Sequence, residues 1–241
     1  MLRCACLAEN EPNEMTIDVA KNLASVRERI DAACRASGRE PSEVTLIAVS
    51  KRQEIELVRL AIAAGHVDFG ENQVQALLKR MEDLGRDGIR WHMIGGLQSN
   101  KGKQAAGADC VHGIGSLKAA RAVSRALENQ QREAPLPIFV QVNISKEASK
   151  SGLSAEAVEA ALLEIHKLPH LDLRGLMCIP SRDAGRAGFV ALRELRDQMR
   201  TKTGLALPDL SMGMSGDFEE AISEGATMVR VGRAIFGERS G

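Results

Sequence analysis

Tyrosine is absent from the sequence, tryptophan occurs once, and aromatic residues make up 2% of the chain. Proteins that bind single-stranded nucleic acid stack bases on aromatic side chains, so this shortage argues against that class. Lys and Arg together number 32, as do Asp and Glu, and the formal net charge is therefore zero. Such a chain lacks the surplus of basic residues that binding to bulk nucleic acid or to an anionic membrane requires.

Long apolar runs and paired cysteines are also missing from the 241 residues. No apolar run approaches the roughly 20 residues that span a bilayer. Residues 1–14 contain no hydrophobic segment of a secretory signal and no periodicity, so we expect them to form a flexible extension. The five cysteines are scattered, and none lies in a C-x-x-C motif. This usage is typical of a reducing compartment and predicts a cytoplasmic protein with mostly buried thiols.

The rest of the chain alternates short apolar runs with segments of helical periodicity. The run 44–49 is apolar except for one threonine, as expected of a strand buried on both faces. The predicted strands cover residues 44–49, 67–69, 90–94, 110–114, 137–143, 171–178, 208–212 and 227–231. Units of about 30 residues, each a strand and a helix, predict a single-domain (β/α)8 TIM barrel over residues 15–241. An open doubly wound sheet is the alternative, because a sequence does not prove closure.

Lys51 directly follows the first predicted strand. The carboxyl ends of barrel strands form the rim at which active sites of this fold lie. A lysine at such an apolar mouth can lose its proton and attack a carbonyl group to form a Schiff base. Taken alone, Lys51 is more typical of an exposed residue that begins a helix.

Two loops late in the sequence are candidates for binding phosphate. Ser215 precedes a predicted helix, and Gly232 follows the last strand, where a residue without Cβ allows close approach of the backbone. Barrels of this type often bind phosphate in the loops after strands seven and eight. Simple helix capping by Ser215 is the alternative. The five His and five Cys form no cluster with ligand spacing, so we predict no metal site.

A set of ordered motifs makes the sequence resemble one family. In order, they are Ala48-Val-Ser-Lys51, Asp68-Phe-Gly-Glu-Asn72, Trp91-His-Met-Ile-Gly95, Leu97-Gln-Ser-Asn-Lys101, Asn143-Ile-Ser145, Ser149-Lys-Ser-Gly152, Leu173-Arg-Gly-Leu-Met177, Ser211-Met-Gly-Met-Ser215 and Val229-Arg-Val-Gly-Arg-Ala-Ile-Phe-Gly237. Together they resemble the pyridoxal phosphate homeostasis proteins, once called proline-synthetase-associated proteins. The resemblance implies the fold-type III barrel of the alanine racemase N-terminal domain and the cofactor pyridoxal 5'-phosphate (PLP).

The resemblance also implies roles for individual residues. Lys51 resembles the Schiff-base lysine, and Arg230 resembles the arginine that faces the pyridine nitrogen. The phosphate would be bound by residues that resemble the family's serine and turn, namely Ser215, Gly232 and Arg233. Two further residues would lie near the ring, Asn72 and Met214. Arg233 departs from the pattern, because relatives often have threonine there, so its backbone N–H or guanidinium would have to replace a hydroxyl contact.

Three functions are compatible with a reactive lysine in a barrel. They are a PLP carrier without turnover, a fold-type III PLP enzyme such as a racemase, and an unrelated aldolase-like enzyme. The resemblance argues against the third. Racemases of this class use a tyrosine and a second domain, and this chain has no tyrosine and no room for that domain. We therefore predict a non-catalytic, monomeric PLP-binding protein that stores the cofactor or delivers it to apo PLP-dependent enzymes.

Overall fold

The computed structural model describes residues 17–132, 134–145, 147, 151–181 and 184–238. Within these ranges, eight parallel strands form a closed barrel in which each strand pairs with the next one in the sequence and the last pairs with the first. The strands are β1 Thr45–Val49, β2 Asp68–Glu71, β3 Arg90–Met93, β4 Cys110–Ile114, β5 Leu136–Gln141, β6 Leu171–Met177, β7 Asp209–Met214 and β8 Met228–Val231. The predicted barrel is confirmed, and the open sheet is wrong. The predicted extension, residues 1–14, lies outside the described ranges.

Helices surround the strands on the outside of the barrel. They are α1 Val19–Ala36, α2 Ile55–Ala63, α3 Val74–Leu84, α4 Gly102–Ala105, α5 Leu117–Asn129, α6 Ala155–His166, α7 Gly185–Thr203, α8 Phe218–Ser223 and α9 Arg233–Phe236. Their ends follow local chemistry. Ser116, for example, caps α5 by accepting a hydrogen bond from the backbone of Ala119, and α7 ends at Gly204 with a φ of 72°. Among the described residues, no helix is both long and apolar enough to cross a membrane.

Two strands run further toward the carboxyl rim than their sequences predict. β2 continues to Glu71 because Gly70 and Glu71 pair with the neighbouring strand β3. β7 continues to Met214, which lies opposite Arg230 of β8. In both cases the partner strand supplies the hydrogen bonds, which local composition does not reveal. The extension places the ends of β2 and β7 at the same rim as Lys51.

The main hydrophobic core lies between the strands and the helices, and it includes Trp91 and Phe69. The inside of the barrel is different. Two small apolar clusters lie apart from the main core, one around Ile47 and Val49 and the other around Phe139. Polar side chains, among them His92, His112, Ser211 and Arg230, occupy much of the remaining inner face. The structure therefore has a conventional outer core and a largely polar axis.

The imidazole of His66 is buried at the amino end of β2. Its Nε2 lies 2.8 Å from the carbonyl oxygen of Asp68, and its Nδ1 lies 3.4 Å from a guanidinium nitrogen of Arg27. Burial is the main cause that lowers the pKa of His66 from 6.5 to about 4. Between these two values the unfolded chain binds a proton that the folded chain does not bind. The contribution of His66 to folding stability is therefore fully present above pH 6.5 and is lost as the pH falls toward 4.

We expect His66→Gln to remove this part of the pH dependence. The wild-type protein should lose up to about 3 kcal/mol through this residue between pH 7.5 and pH 4. The free energy of unfolding, measured by urea titration at both pH values, should decrease less in the variant than in the wild type. Equal decreases in the two proteins would show that His66 does not contribute.

Candidate functional site

The ends of β1 and β8 lie side by side at the carboxyl rim. Val231 pairs with Ala48, and Gly232 packs on Val49 so closely that a Cβ on the glycine would lie 3.3 Å from the Val49 carbonyl oxygen. Lys51 follows two residues later and is half-buried. The lysine and the Gly232 loop, which are 181 positions apart in the sequence, are thus neighbours in the structure.

Glu71 lies beside this lysine at the end of β2. Its side chain is 1% exposed, and Oε1 accepts hydrogen bonds from Ser50 Oγ at 2.8 Å and from Arg80 Nε at 3.4 Å. Within the part of the chain that the structure describes, Oε2 accepts none. Burial raises the pKa of Glu71, against the opposing effects of Ser50, Arg80 and Lys51. Sequence analysis missed Glu71, although it directly precedes Asn72 in a motif already singled out.

The structure brings Ser215 and the Gly232 loop together. The Ser215 hydroxyl oxygen accepts hydrogen bonds from the backbone N–H groups of Gly232 at 3.2 Å and Ala234 at 3.4 Å. Two backbone donors therefore converge on one point at the rim, which is the arrangement that binds an anion. The Arg233 side chain is exposed, and its Nη1 lies 3.7 Å from a carboxylate oxygen of Glu238. The donors to Ser215 are thus the backbone N–H groups of the residues on either side of Arg233.

Arg230 is buried on the inner face of β8, with 4% of its surface exposed. One guanidinium nitrogen donates to Ser211 Oγ at 2.6 Å, and the other donates to the Cys178 carbonyl oxygen at 2.9 Å. Both acceptors are neutral, and burial lowers the pKa of Arg230. A buried cation held by neutral acceptors is costly, and it gains stabilisation when a ligand supplies a further acceptor.

Met214 and Asn72 are at the same rim and are both exposed. Met214 is 38% exposed, and its backbone N–H donates to Asp217 Oδ1 at 2.6 Å. The carbonyl of Asn72 lies against Gly95, where a Cβ would be 2.1 Å from the carbonyl oxygen. Only glycine at position 95 allows this approach, so the backbone around Asn72 is held by packing.

Known proteins and a family model match nearly the whole chain. The family model for the alanine racemase N-terminal domain matches residues 21–240. A pyridoxal phosphate homeostasis protein of Pseudomonas aeruginosa is 45% identical over 229 residues, which cover 92% of this chain and 96% of the relative. Its namesake in Escherichia coli K12 is 43% identical over 235 residues, with 92% and 97% coverage. This chain belongs to the pyridoxal phosphate homeostasis protein family.

A solved structure of the family extends the comparison. The PipY protein of Synechococcus elongatus, solved with PLP bound, is 32% identical to this chain and superposes with a TM-score of 0.77. The alignment covers 91% of this chain and all of that protein. The predicted resemblance and the predicted barrel of the alanine racemase N-terminal domain are confirmed.

This family member also contains a buried polar cluster that sequence analysis did not find. His92, Cys110 and His112 bring their potential ligand atoms within 4.8 Å of one another. The prediction that His and Cys residues form no cluster is therefore wrong, because neighbouring strands join residues that lie 18 to 20 positions apart. Burial raises the pKa of the Cys110 thiol, so the sulfur is held as a neutral, weak ligand. The absence of a metal site stays a prediction.

Proposed function

We propose that this protein binds PLP and serves intracellular PLP homeostasis. It holds the cofactor as a Schiff base on Lys51, for storage or delivery, without catalytic turnover. The names of the relatives and the PLP-bound PipY structure support the first part of this proposal. The arrangement of this chain's own residues supports the second.

The observation that carries the proposal is the order of three groups around the rim. Ser215 follows β7, Gly232 follows β8, and Lys51 follows β1, and these three strands are consecutive neighbours in the closed barrel. The anion-binding backbone of one loop is therefore next to the amine of another. A ligand for such a site needs a phosphate for the backbone donors and an aldehyde for the amine. PLP carries both groups.

Each group has a distinct task in this proposal. The N–H groups of Gly232 and Ala234 and the hydroxyl of Ser215 bind the phosphate, while Arg230 donates a hydrogen bond to the ring nitrogen. When bound, PLP supplies an aldehyde that condenses with the Lys51 amine and releases one water molecule. The amine must first lose its proton, and the nearby Glu71 carboxylate, which interacts electrostatically with Lys51, would accept it.

Several features favour binding without turnover. Racemisation requires a positioned acid and base, and the sequence contains no tyrosine to serve in that role. The two buried histidines at the barrel axis, His92 and His112, have both ring nitrogens engaged in hydrogen bonds inside the barrel. A guanidinium such as that of Arg230 has no acceptor for a hydrogen bond from a protonated ring nitrogen, so it disfavours the protonated ring that is a strong electron sink.

The remaining parts of the proposal concern the setting of the protein. Cys34, Cys110 and Cys178 are buried free thiols, which fits a reducing cytoplasm. The recipients of delivered PLP would be apo PLP-dependent enzymes. A monomeric state stays a prediction.

A turnover assay separates the carrier from an enzyme. With PLP bound, we expect no sustained racemisation or exchange of the α-hydrogen across a panel of amino acids in deuterated buffer. Slow exchange alone is compatible with a carrier, since PLP itself makes that hydrogen labile. Sustained racemisation that disappears in Lys51→Ala would show that the protein is an enzyme.

A further inference from the structure

A continuous hydrogen-bond network passes through the inside of the barrel. It begins at Arg230 near the rim and ends at Asp68 at the amino end of β2, and we call it the axial network. Its members, in order, are Arg230, Ser211, His112, His92 and Asp68. The successive distances between their donor and acceptor atoms are 2.6, 2.8, 3.1 and 2.9 Å. The network joins β8, β7, β4, β3 and β2, so it crosses the barrel rather than following one edge.

The members are buried and held in place by their surroundings. The histidines and Ser211 have 4% or less of their surface exposed, and Asp68 has 5%. The ring of Phe139 stacks on His112, with 4.7 Å between ring centroids and an angle of 11° between the planes. The stacking and the burial thus hold the plane of the His112 ring in one orientation.

Only one set of proton positions satisfies every contact when both imidazoles are neutral. Asp68 is an ionised acceptor, because its hydrogen bonds with His92 and Arg90 outweigh burial and lower its pKa to about 2. His92 must then donate from Nε2 and accept at Nδ1. His112 must in turn donate from Nε2 and accept at Nδ1 from the Ser211 hydroxyl. The Ser211 oxygen is left as an acceptor for Arg230.

The far end of the axial network reaches the surface. Arg90 donates to both carboxylate oxygens of Asp68, at 2.7 and 2.6 Å, and its side chain is 62% exposed. Both residues line a surface cavity at the amino end of the barrel, opposite the rim that carries Lys51. The carboxylate at this end orients the donors along the whole network, since hydrogen bonds in series polarise one another.

We propose that Ser211, His112, His92 and Asp68 are positioning residues that fix the Arg230 guanidinium and couple it to the Asp68–Arg90 ion pair at the opposite end of the barrel. This inference rests on the proposed function, in which Arg230 faces the ring nitrogen of PLP. Among the described residues, Arg230 donates to two neutral acceptors, the Cys178 carbonyl and Ser211, and its orientation therefore depends in part on Ser211 and on the groups that orient Ser211. Loss of a distant link should therefore change how PLP is held at the rim.

The first test needs no cofactor. Long-range ¹H–¹⁵N NMR correlations of the full-length protein without PLP report which nitrogen of each imidazole carries the proton. We expect both His92 and His112 to carry it on Nε2 at neutral pH. A proton on Nδ1 of His112 would reverse the direction of the axial network and overturn the inference.

The second test compares two similar ion pairs at the amino end of the barrel. Asp209 on β7 accepts from Arg174 Nε at 2.8 Å and is only 16% exposed, but no hydrogen bond or ion pair among the described residues joins its side chain to the axial network. Asp68→Asn should speed the release of PLP about tenfold, the size expected for one hydrogen bond to a charged group, and should shift the absorption maximum of the bound cofactor. Asp209→Asn should match the wild type in both measurements.

Two variants nearer the rim keep this test decisive if Asp68→Asn fails to fold. Ser211→Ala should reproduce the faster release and the spectral shift, whereas Ser211→Thr, which keeps the hydroxyl group, should restore both. If the wild type binds PLP but Asp68→Asn or Ser211→Ala behaves like Asp209→Asn, the axial network is only structural. If the wild type binds no PLP, the proposed function fails, and the NMR result alone decides the network.

Discussion

Replacing Lys51 with alanine is expected to abolish the visible absorption band of the Schiff base while leaving a weaker, noncovalent complex with PLP. The substitution removes the amine but leaves Ser215, Gly232 and Arg230 in place. The fold should be unaffected, because residues at the rim of a barrel serve binding more than stability. Titration of absorbance, together with equilibrium dialysis of PLP, measures the two effects separately.

A matched control exists at the same rim. Lys101 follows β3 and is half-buried like Lys51, so Lys101→Ala should keep the band. Reduction of the wild-type complex with borohydride should attach PLP to Lys51, as peptide mapping would show. An adduct on Lys101 would refute the assignment. A Lys51→Ala protein that is folded by circular dichroism but binds no PLP would show that the phosphate contacts contribute little.

Gly232→Asp is expected to weaken PLP binding by about 100-fold or more. The new side chain would begin 3.3 Å from the Val49 carbonyl oxygen and would place a negative charge beside the phosphate. At the effective dielectric constant near a protein surface, two like charges about 4 Å apart repel by roughly 4 kcal/mol. The dissociation constant, measured by titration, gives the effect directly.

Two comparisons separate charge from space in this variant. Gly232→Ala adds a Cβ at the same 3.3 Å from the Val49 carbonyl oxygen but adds no charge, so it should weaken binding far less than aspartate does. Pyridoxal, which lacks the phosphate, should bind the wild type far more weakly than PLP and should be less sensitive to Gly232→Asp. Equal affinities of the wild type for pyridoxal and PLP would contradict the proposed phosphate site.

Much of the fold could be predicted because its elements are encoded locally. Short apolar runs such as 44–49 are typical of strands between two covered faces, and Ser116 or Gly204 marks where a helix begins or ends. The predicted ends of the strands were less accurate. β2 and β7 run to Glu71 and Met214 because neighbouring strands continue the hydrogen bonding, which is a property of the pair and not of either sequence.

Some residues of the candidate site could also be predicted from the sequence, and others could not. Lys51, Ser215 and Gly232 could be singled out because each follows a recognisable strand, and the motifs around them resemble one family. Glu71 could not, since an acidic residue after a strand is common and only its burial beside Ser50 distinguishes it. The pairing of His92 with His112 was equally hidden, because their separation of 20 residues matches no ligand spacing.

The sequence by itself determined the class of fold and the residues that follow the first, seventh and eighth strands. Only the tertiary structure decided that the barrel closes, which makes β8 a neighbour of β1 and brings Gly232 against Val49. Closure also created an interior in which His112 of one strand reaches Ser211 of another across the barrel. Side-chain periodicity shows which face a residue occupies, but contacts across an enclosed axis depend on strand tilt and register, and these exist only in the folded chain.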